Sequence, residues 1–316
     1  MKRLFLLFAM VLCATNIYAD GGVVRDTYCY ATHDGEALYL DRYTSSSCSS
    51  SAPCMLFAFG GGFVRGERDN AYYADYFRRL AASGIVVVSI DYRLGLRNLD
   101  AGADMGIRDM IVAMQRSVDI AVEDIYAATL YILDNAASWG VDTSKIMLSG
   151  SSAGAIAVLQ AEWGRCNRSS MATVLPSDFG YAAVVACAGA IFSTSGAPHW
   201  SSAPAPTMLF HGTSDRNVPY RKASVMGIGF YGSEYIAREL DKLSSPYYFY
   251  SVQYADHSVA VTPLIDQIDL ILQFIDDYVI DGRRLCVTTD VVRPDCTKAP
   301  TRFSVKEYLE ANYSPR

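Results

Sequence analysis

The sequence predicts an α/β fold, a mainly parallel sheet sandwiched between layers of helix, and three observations carry that expectation. Short apolar runs alternate along the chain with longer stretches of helical periodicity. Several of those runs are apolar throughout, as strands buried on both faces must be. No Pro/Gly-rich linker interrupts the alternation, so residues 20–316 read as one domain with a short C-terminal extension from about residue 283.

The strands follow in order. "ALYLDRY" (37–43) alternates apolar and polar side chains at period two, whereas "MLFAF" (55–59) and "IVVVSIDY" (85–92) are continuous apolar runs. "KIMLS" (145–149), "AAVVACAGAI" (182–191), "PTMLFHG" (206–212) and "PYYFYSVQY" (246–254) complete the set. Among the helices, "DIAVEDIYAATLYILDNAASWG" (119–140) brings Ile120, Ile125, Leu130 and Leu133 back near helical spacing and closes on Gly140. "SEYIARELDKL" (233–243) and "PLIDQIDLILQFIDDYVI" (263–280) are two more. Residues 95–119, which carry Met105, Met110 and Met114, are about two short helices long, enough to roof a small pocket but not a deep lipid tunnel.

Bulk composition narrows the function. The 316 residues are 51% hydrophobic and 19% charged, ample for one large core. A net charge of −6, with basic residues neither in excess nor clustered, argues against a nucleic-acid partner. Residues 1–19 read as a cleaved secretory signal: Lys2 and Arg3 lead, Leu4 to Cys13 is apolar, and Ala19 supplies the small residue before the cut. The expected location is therefore secreted or periplasmic. That apolar run is too short for a membrane anchor, and no run of transmembrane length follows, so no stable membrane insertion is expected. The cysteines beyond the leader are Cys29, Cys48, Cys54, Cys166, Cys187, Cys286 and Cys296. Their spacing fits no zinc template, so no metal is expected; disulfides are, with Cys286–Cys296 first and Cys29 with Cys48 or Cys54 second.

One motif carries chemistry. "GSSAG", residues 150–154, has the spacing G-x-S-x-G between an apolar strand and a helix, the context in which the central serine stands exposed on a strained turn. That makes Ser152 the candidate nucleophile. A serine hydroxyl needs a base, and the base needs an acid to orient it. The chain holds four histidines; His33 lies before the serine, and His211 ends its own strand and reads as shaping a turn. His257, in the loop after the strand at 246–254, is the candidate base. Asp215, in "TSDRN" just beyond the strand at 206–212, is the candidate acid, ahead of Asp256, whose side chain has to share a loop with its neighbour His257. Attack on a carbonyl builds a negative oxygen that needs preset donors. "FAFGGGFVRG" (57–66) offers consecutive glycines after a strand, and Gly61, Gly62 and Ala153 are the candidate oxyanion hole. Phe63, next after those glycines, is the candidate wall beside the acyl group.

Together, "GGGFVRG", "VVVSIDYRLG", "SWGVDTSKIMLSGSSAGA" and "LFHGTSDRNVPY" resemble the carboxylesterase and hormone-sensitive-lipase branch of the α/β-hydrolases, over about residues 35–280. The resemblance implies a sheet of about eight strands, a serine triad and ester hydrolysis without a cofactor, and it falls on the same site residues. It also implies structural roles for Asp91 and Arg93. One departure is Phe59, where the family usually has a histidine that supports the glycine loop. The expected reaction is hydrolysis of a short-acyl carboxylic ester, on a small molecule or linked to a polysaccharide. A serine peptidase of the same fold and a non-catalytic binding module are the alternatives, and the sequence leaves the oligomeric state open.

Overall fold

A computed structural model describes residues 16–17, 22–33, 35–99, 106–292 and 297–301. Its strands are β1 Asn16–Ile17, β2 Val24–His33, β3 Glu36–Thr44, β4 Ala52–Ala58, β5 Val86–Ile90, β6 Val141–Ser151, β7 Ala183–Cys187, β8 Ala190–Ser193, β9 Thr207–Gly212, β10 Lys222–Val225, β11 Ile228–Gly232, β12 Tyr247–Val252 and β13 Cys286–Val291. Ten of them form one sheet in the order β1-β2-β3-β5-β4-β6-β7-β9-β12-β13. Pairing is antiparallel from β1 through β3 to β5 and parallel from β5 to β13. Without β1 and β13 at the two edges, this is the sheet of about eight strands that the sequence implies. β8, β10 and β11 make a separate antiparallel sheet of three.

The apolar runs explain the centre. Every residue of β5, β7 and β9 is buried, because parallel strands joined by helical crossovers are covered on both faces. The helices are α1 Ala74–Ala82, α2 Ile107–Trp139, α3 Ala153–Cys166, α4 Ser233–Lys242, α5 Pro263–Asp266 and α6 Ile268–Ile275. They flank the sheet in packed groups, α2 against α3, and α1 against α5 and α6.

The structure corrects two expectations and refines a third. From Ile107 on, the segment at 95–119 is not a pair of short helices but the opening of the single 33-residue α2. No glycine or proline interrupts residues 107–139, and Met114, Val118, Ala121, Val122 and Ile125 bury one continuous stripe. Met105 lies outside the described residues. The extension after Gly282 does not stand apart either, since β13 pairs in parallel with β12 along all six residues. Finally, Cys29 does not pair with Cys48 or Cys54; all three are free thiols. Cys29 is on β2 and Cys54 on β4, with β3 and β5 between them, so about three strand spacings of ~4.8 Å separate them, beyond disulfide reach. Cys48, in the loop after β3, turns its Sγ to the Ala81 carbonyl at 3.8 Å. Cys286 also carries a free, exposed thiol, and Cys296 lies outside the described residues.

The expected signal cut after Ala19 would remove β1. Among the described residues, no helix is long and apolar enough to cross a membrane, and no group of three or more His, Cys, Asp or Glu side chains is arranged to hold a metal ion.

Ending the chain at Gly282 strips β13 from β12 and leaves six residues of an inner strand as a bare edge. The truncated protein is expected to unfold several degrees lower and to associate on size-exclusion chromatography, as unpaired edges do.

Candidate active site

The nucleophile candidate sits where β6 turns into α3. Ser152 has φ 50° and ψ −116°, a conformation that costs an L-residue on the order of 1–3 kcal/mol and persists only where its surroundings enforce it. Here they do. The Ser152 N–H donates to the Cys187 carbonyl at 2.9 Å, across to β7. On the other side a Cβ on Gly154 would lie 2.1 Å from the Ala58 carbonyl oxygen and 2.5 Å from that of Phe59. The first turn of α3 is therefore pressed against the end of β4, closer than any side chain allows. This close approach requires glycine at the second end of the motif.

The serines of "LSGSS" are not interchangeable. The Ser149 hydroxyl meets Tyr76 Oη at 3.1 Å inside the core, and Ser151 Oγ donates to the Ala260 carbonyl at 2.8 Å. Ala260 closes the short turn His257–Ala260, so Ser151 staples the nucleophile turn to the histidine loop. Only Ser152 is free to face His257.

Ser152 Oγ lies 2.8 Å from His257 Nε2, and His257 Nδ1 lies 2.7 Å from Asp215 Oδ2. Asp215 Oδ1 accepts the backbone N–H groups of Asn217 at 2.8 Å and Val218 at 2.9 Å, which fixes the carboxylate plane. Burial pushes the Asp215 carboxyl up, but hydrogen bonding from His211 and His257 outweighs it and holds the group below the usual carboxylate range. Asp215 therefore stays ionised, and the stability its ionised form contributes is lost only as pH falls below that range. Asp256 turns away and accepts the Ser258 N–H at 3.0 Å, so the acid that touches His257 is Asp215.

The glycine loop after β4 reaches the same place. A Cβ on Gly60 would stand 3.2 Å from Ser152 Cβ, which puts the loop in contact with the nucleophile turn. Gly61 has φ 135°, with an added Cβ 1.8 Å from the Arg65 carbonyl oxygen, so only glycine fits there. Ala153 opens the 14-residue α3, where its N–H has no intrahelical carbonyl and the helix dipole favours negative charge. Gly61 and Gly62 follow Gly60 in that loop and Ala153 follows Ser152, so the candidate oxyanion residues belong to two turns that touch.

Two tyrosines hold that loop. Tyr92 Oη donates to the Phe59 carbonyl at 2.8 Å while its ring stacks on Phe59 with centroids 4.5 Å apart. Gly60 N–H donates to Tyr73 Oη at 3.2 Å. Of these, Tyr92 lies in the "DYRL" stretch, whereas nothing in the pattern around Tyr73 marks it. Phe63 is only 1% exposed and meets Tyr92 edge-on at 6.3 Å, so in this conformation it has almost no surface to offer a substrate. Asp91 pairs with Arg68 at 2.7 Å and Arg93 with Asp124 of α2 at 2.8 Å, the bracing that resemblance implies for them.

The remaining histidines separate clearly. His33 approaches Asp124 at 3.3 Å, and the His199 carbonyl caps Trp163 Nε1. His211 does more than shape its own turn: fully buried, it brings Nε2 to 3.4 Å from Asp215 Oδ2. A cleft of about 670 Å³ opens beside Asp215, lined by Tyr220, Arg221, Glu234, Tyr235 and Arg238 among others, but neither Ser152 nor His257 is on its walls.

Comparison with known proteins points to the same fold. Residues 40–191 match the BD-FAE family model. Curated relatives include acetylcholinesterase of Gallus gallus, 30% identical over 130 residues that are 39% of this chain and 15% of the relative. Esterase LipI of Mycobacterium tuberculosis is 30% identical over 105 residues, 33% of this chain and 27% of that protein. The chain spans less than a third of the length of either. Among solved structures, the apo form of Thermogutta terrifontis esterase 2 superposes with a TM-score of 0.60 at 21% identity, covering 83% of this chain and 96% of that one. The shared fold is the α/β-hydrolase fold.

Two substitutions test this architecture. Gly154→Ala drives a methyl into two carbonyl oxygens and is expected to cut ester hydrolysis at least about tenfold while lowering the thermal midpoint. Ser151→Ala frees the histidine loop from β6 and is expected to lower kcat several-fold with the Ser152 hydroxyl still present. Steady-state kinetics beside a thermal melt checks both.

Proposed function

We propose that the chain, which has the α/β-hydrolase fold, is a secreted serine esterase acting on short-acyl carboxylic esters through an acyl-enzyme. The observation that carries the reading is the unbroken line from Ser152 Oγ through His257 to Asp215, at 2.8 and 2.7 Å, beside the glycine loop. In this reading Ser152 Oγ attacks the ester carbonyl carbon as His257 Nε2 takes its proton. The oxyanion is held by the N–H groups of Gly61, Gly62 and Ala153. Collapse breaks the bond to the alcohol oxygen, which receives the proton from His257. Water then attacks the acyl carbon and gives its proton to His257; collapse breaks the acyl bond to Ser152 Oγ, which takes that proton from His257 as the acid leaves. Asp215 keeps Nδ1 protonated and steadies the imidazolium between steps. The reaction needs no cofactor.

Chain length of the acyl group follows from the roof. The Leu96 N–H donates to the Phe63 carbonyl at 2.9 Å, which sets residues 95–99 against the glycine loop, and in this reading each methylene of a longer acyl group left unburied forgoes about 0.8 kcal/mol. Structures of T. terrifontis esterase 2 with bound butyrate and propionate support the same size class. Acetyl and feruloyl groups on carbohydrate fall within the proposed range. The apolar, basic-led pattern of residues 1–19 supports secretion, and a Cys286–Cys296 disulfide formed in an oxidising compartment belongs to the same reading.

Ser152→Ala is expected to lower kcat at least about a thousandfold, because the triad acts as a unit, and a fluorophosphonate probe is expected to label wild type at Ser152 alone. A panel of p-nitrophenyl acetate, butyrate, octanoate and palmitate, with acetyl-xylan and methyl ferulate, reads the substrate class. Labelling at Ser151, or kcat/KM rising through palmitate, overturns the proposal.

A further inference from the structure

His211 is the fifth of the six residues of β9, four residues before Asp215, with no exposed surface. A fully buried imidazole must satisfy both ring nitrogens locally. Its Nδ1 lies 2.8 Å from Ser233 Oγ, at the first residue of α4. Its Nε2 faces two acceptors, the Val218 carbonyl at 3.2 Å and Asp215 Oδ2 at 3.4 Å. A nitrogen between two acceptor oxygens has to carry a proton, so Nε2 is the N–H side of this ring. Ser233 Oγ, 3.4 Å from the Gly189 carbonyl, serves Nδ1 as donor or acceptor and leaves the ring's orientation unchanged.

The oxygen that His211 addresses is the one that binds His257. Asp215 Oδ2 thus stands between two imidazoles, His257 Nδ1 at 2.7 Å and His211 Nε2 at 3.4 Å, while Oδ1 is occupied by the two backbone N–H groups. We propose that His211 is a positioning residue of the triad, which pins the shared oxygen of Asp215 and limits how strongly that carboxylate draws on His257. The inference rests on the esterase reading above, since it concerns the strength of the base in that reaction.

Neighbouring elements leave this array electrically simple. Tyr220 sets its ring edge-on to His211 at 5.7 Å and turns its hydroxyl to Ser251 of β12 at 2.8 Å. On α4, Glu234 next to Ser233 pairs with Arg221 and Arg238 at 3.8 and 2.6 Å. Arg216, beside Asp215, is exposed, and the Asp256 carboxylate is turned to the Ser258 N–H. From the third side, the Ser152 hydroxyl meets His257. The imidazoles of His257 and His211 approach Asp215 Oδ2 at 2.7 and 3.4 Å. An N–H withdrawn from Oδ2 leaves its full charge to act on His257, which favours the imidazolium. The acid limb of kcat/KM then moves to higher pH.

The test compares His211→Leu, which deletes the N–H, with His211→Gln, whose side-chain NH₂ reaches the same place. With p-nitrophenyl acetate, His211→Leu is expected to lower kcat at neutral pH about tenfold or more at nearly unchanged KM. Its acid limb is expected to rise by about half a pH unit or more. His211→Gln is expected to stay within about threefold and to keep the wild-type limb. Equal losses in both variants with an unmoved limb would mean a packing role and overturn the proposal. Should His211→Leu not fold, ¹⁵N-histidine spectra of the wild-type protein decide, with His211→Gln supplying the assignment: a protonated Nε2 across the active pH range supports the proposal, and an unprotonated one refutes it. Failure of the esterase reading itself is seen separately, as activity that survives in Ser152→Ala.

Discussion

The site depends on one constrained contact, the first turn of α3 pressed onto the end of β4. With a Cβ at Gly154 only 2.1 Å from the Ala58 carbonyl, the helix cannot retreat without dragging Ser152 out of its left-handed turn. That turn points the hydroxyl out above the strand ends while the backbone beneath stays bonded to β7. The strain is local, and its cost is met by the surrounding core: Leu56, Phe57, Ile146, Met147 and Leu148 are completely buried in the two strands that clamp the turn. Non-glycine residues with positive φ recur around it, at Phe63 in the glycine loop and at Ala188 just after β7. The rim of the sheet is thus unusually rich in enforced backbone, where a reacting group has to be aimed.

A second dependence runs through hydroxyls. Ser151 ties the end of β6 to the turn bearing His257, and Tyr92 and Tyr73 tie the glycine loop to the segments flanking β5 and α1. Each bond contributes only about 1 kcal/mol to stability, yet each fixes one catalytic arm relative to another. The candidate nucleophile, base and oxyanion residues come from three separate loops, and these cross-links tie them together. Phe59 fits this logic, because stacking on Tyr92 and the bond from Tyr92 Oη to its carbonyl hold the start of the glycine loop.

How much of this was legible in the sequence differs by level. The interior strands β4, β5, β6, β7, β9 and β12 announce themselves as apolar runs, since burial on both faces leaves no other composition. β2 is missed because its half-buried pattern, with Asp26, Thr27 and Tyr28 in succession, shows neither strict alternation nor a continuous apolar run. β13 is missed for a related reason: "CVTTDV" lies on an exposed edge, so its pairing with β12 leaves little hydrophobic trace. Ser152, Asp215 and His257 are readable from chain order and motif context, because the fold fixes that order. Ser151, Tyr73, Tyr92 and His211 are not, since a second-layer contact depends on three-dimensional neighbours and has no spacing of its own.

His211 shows why order alone misleads. Read along the chain, it competes with His257 for the role of base and loses, since it precedes Asp215. Read in space, the two histidines do not compete but approach one oxygen from different directions, one exposed enough to meet a substrate and the other sealed in the core. The difference comes from where each sits on its strand. His211 is the fifth residue of β9 and is locked into the sheet register opposite Ser251, while His257 lies five residues past the end of β12 and is free to lean over the edge. A residue inside a strand can only tune a site from behind; a residue beyond it can take part in the chemistry.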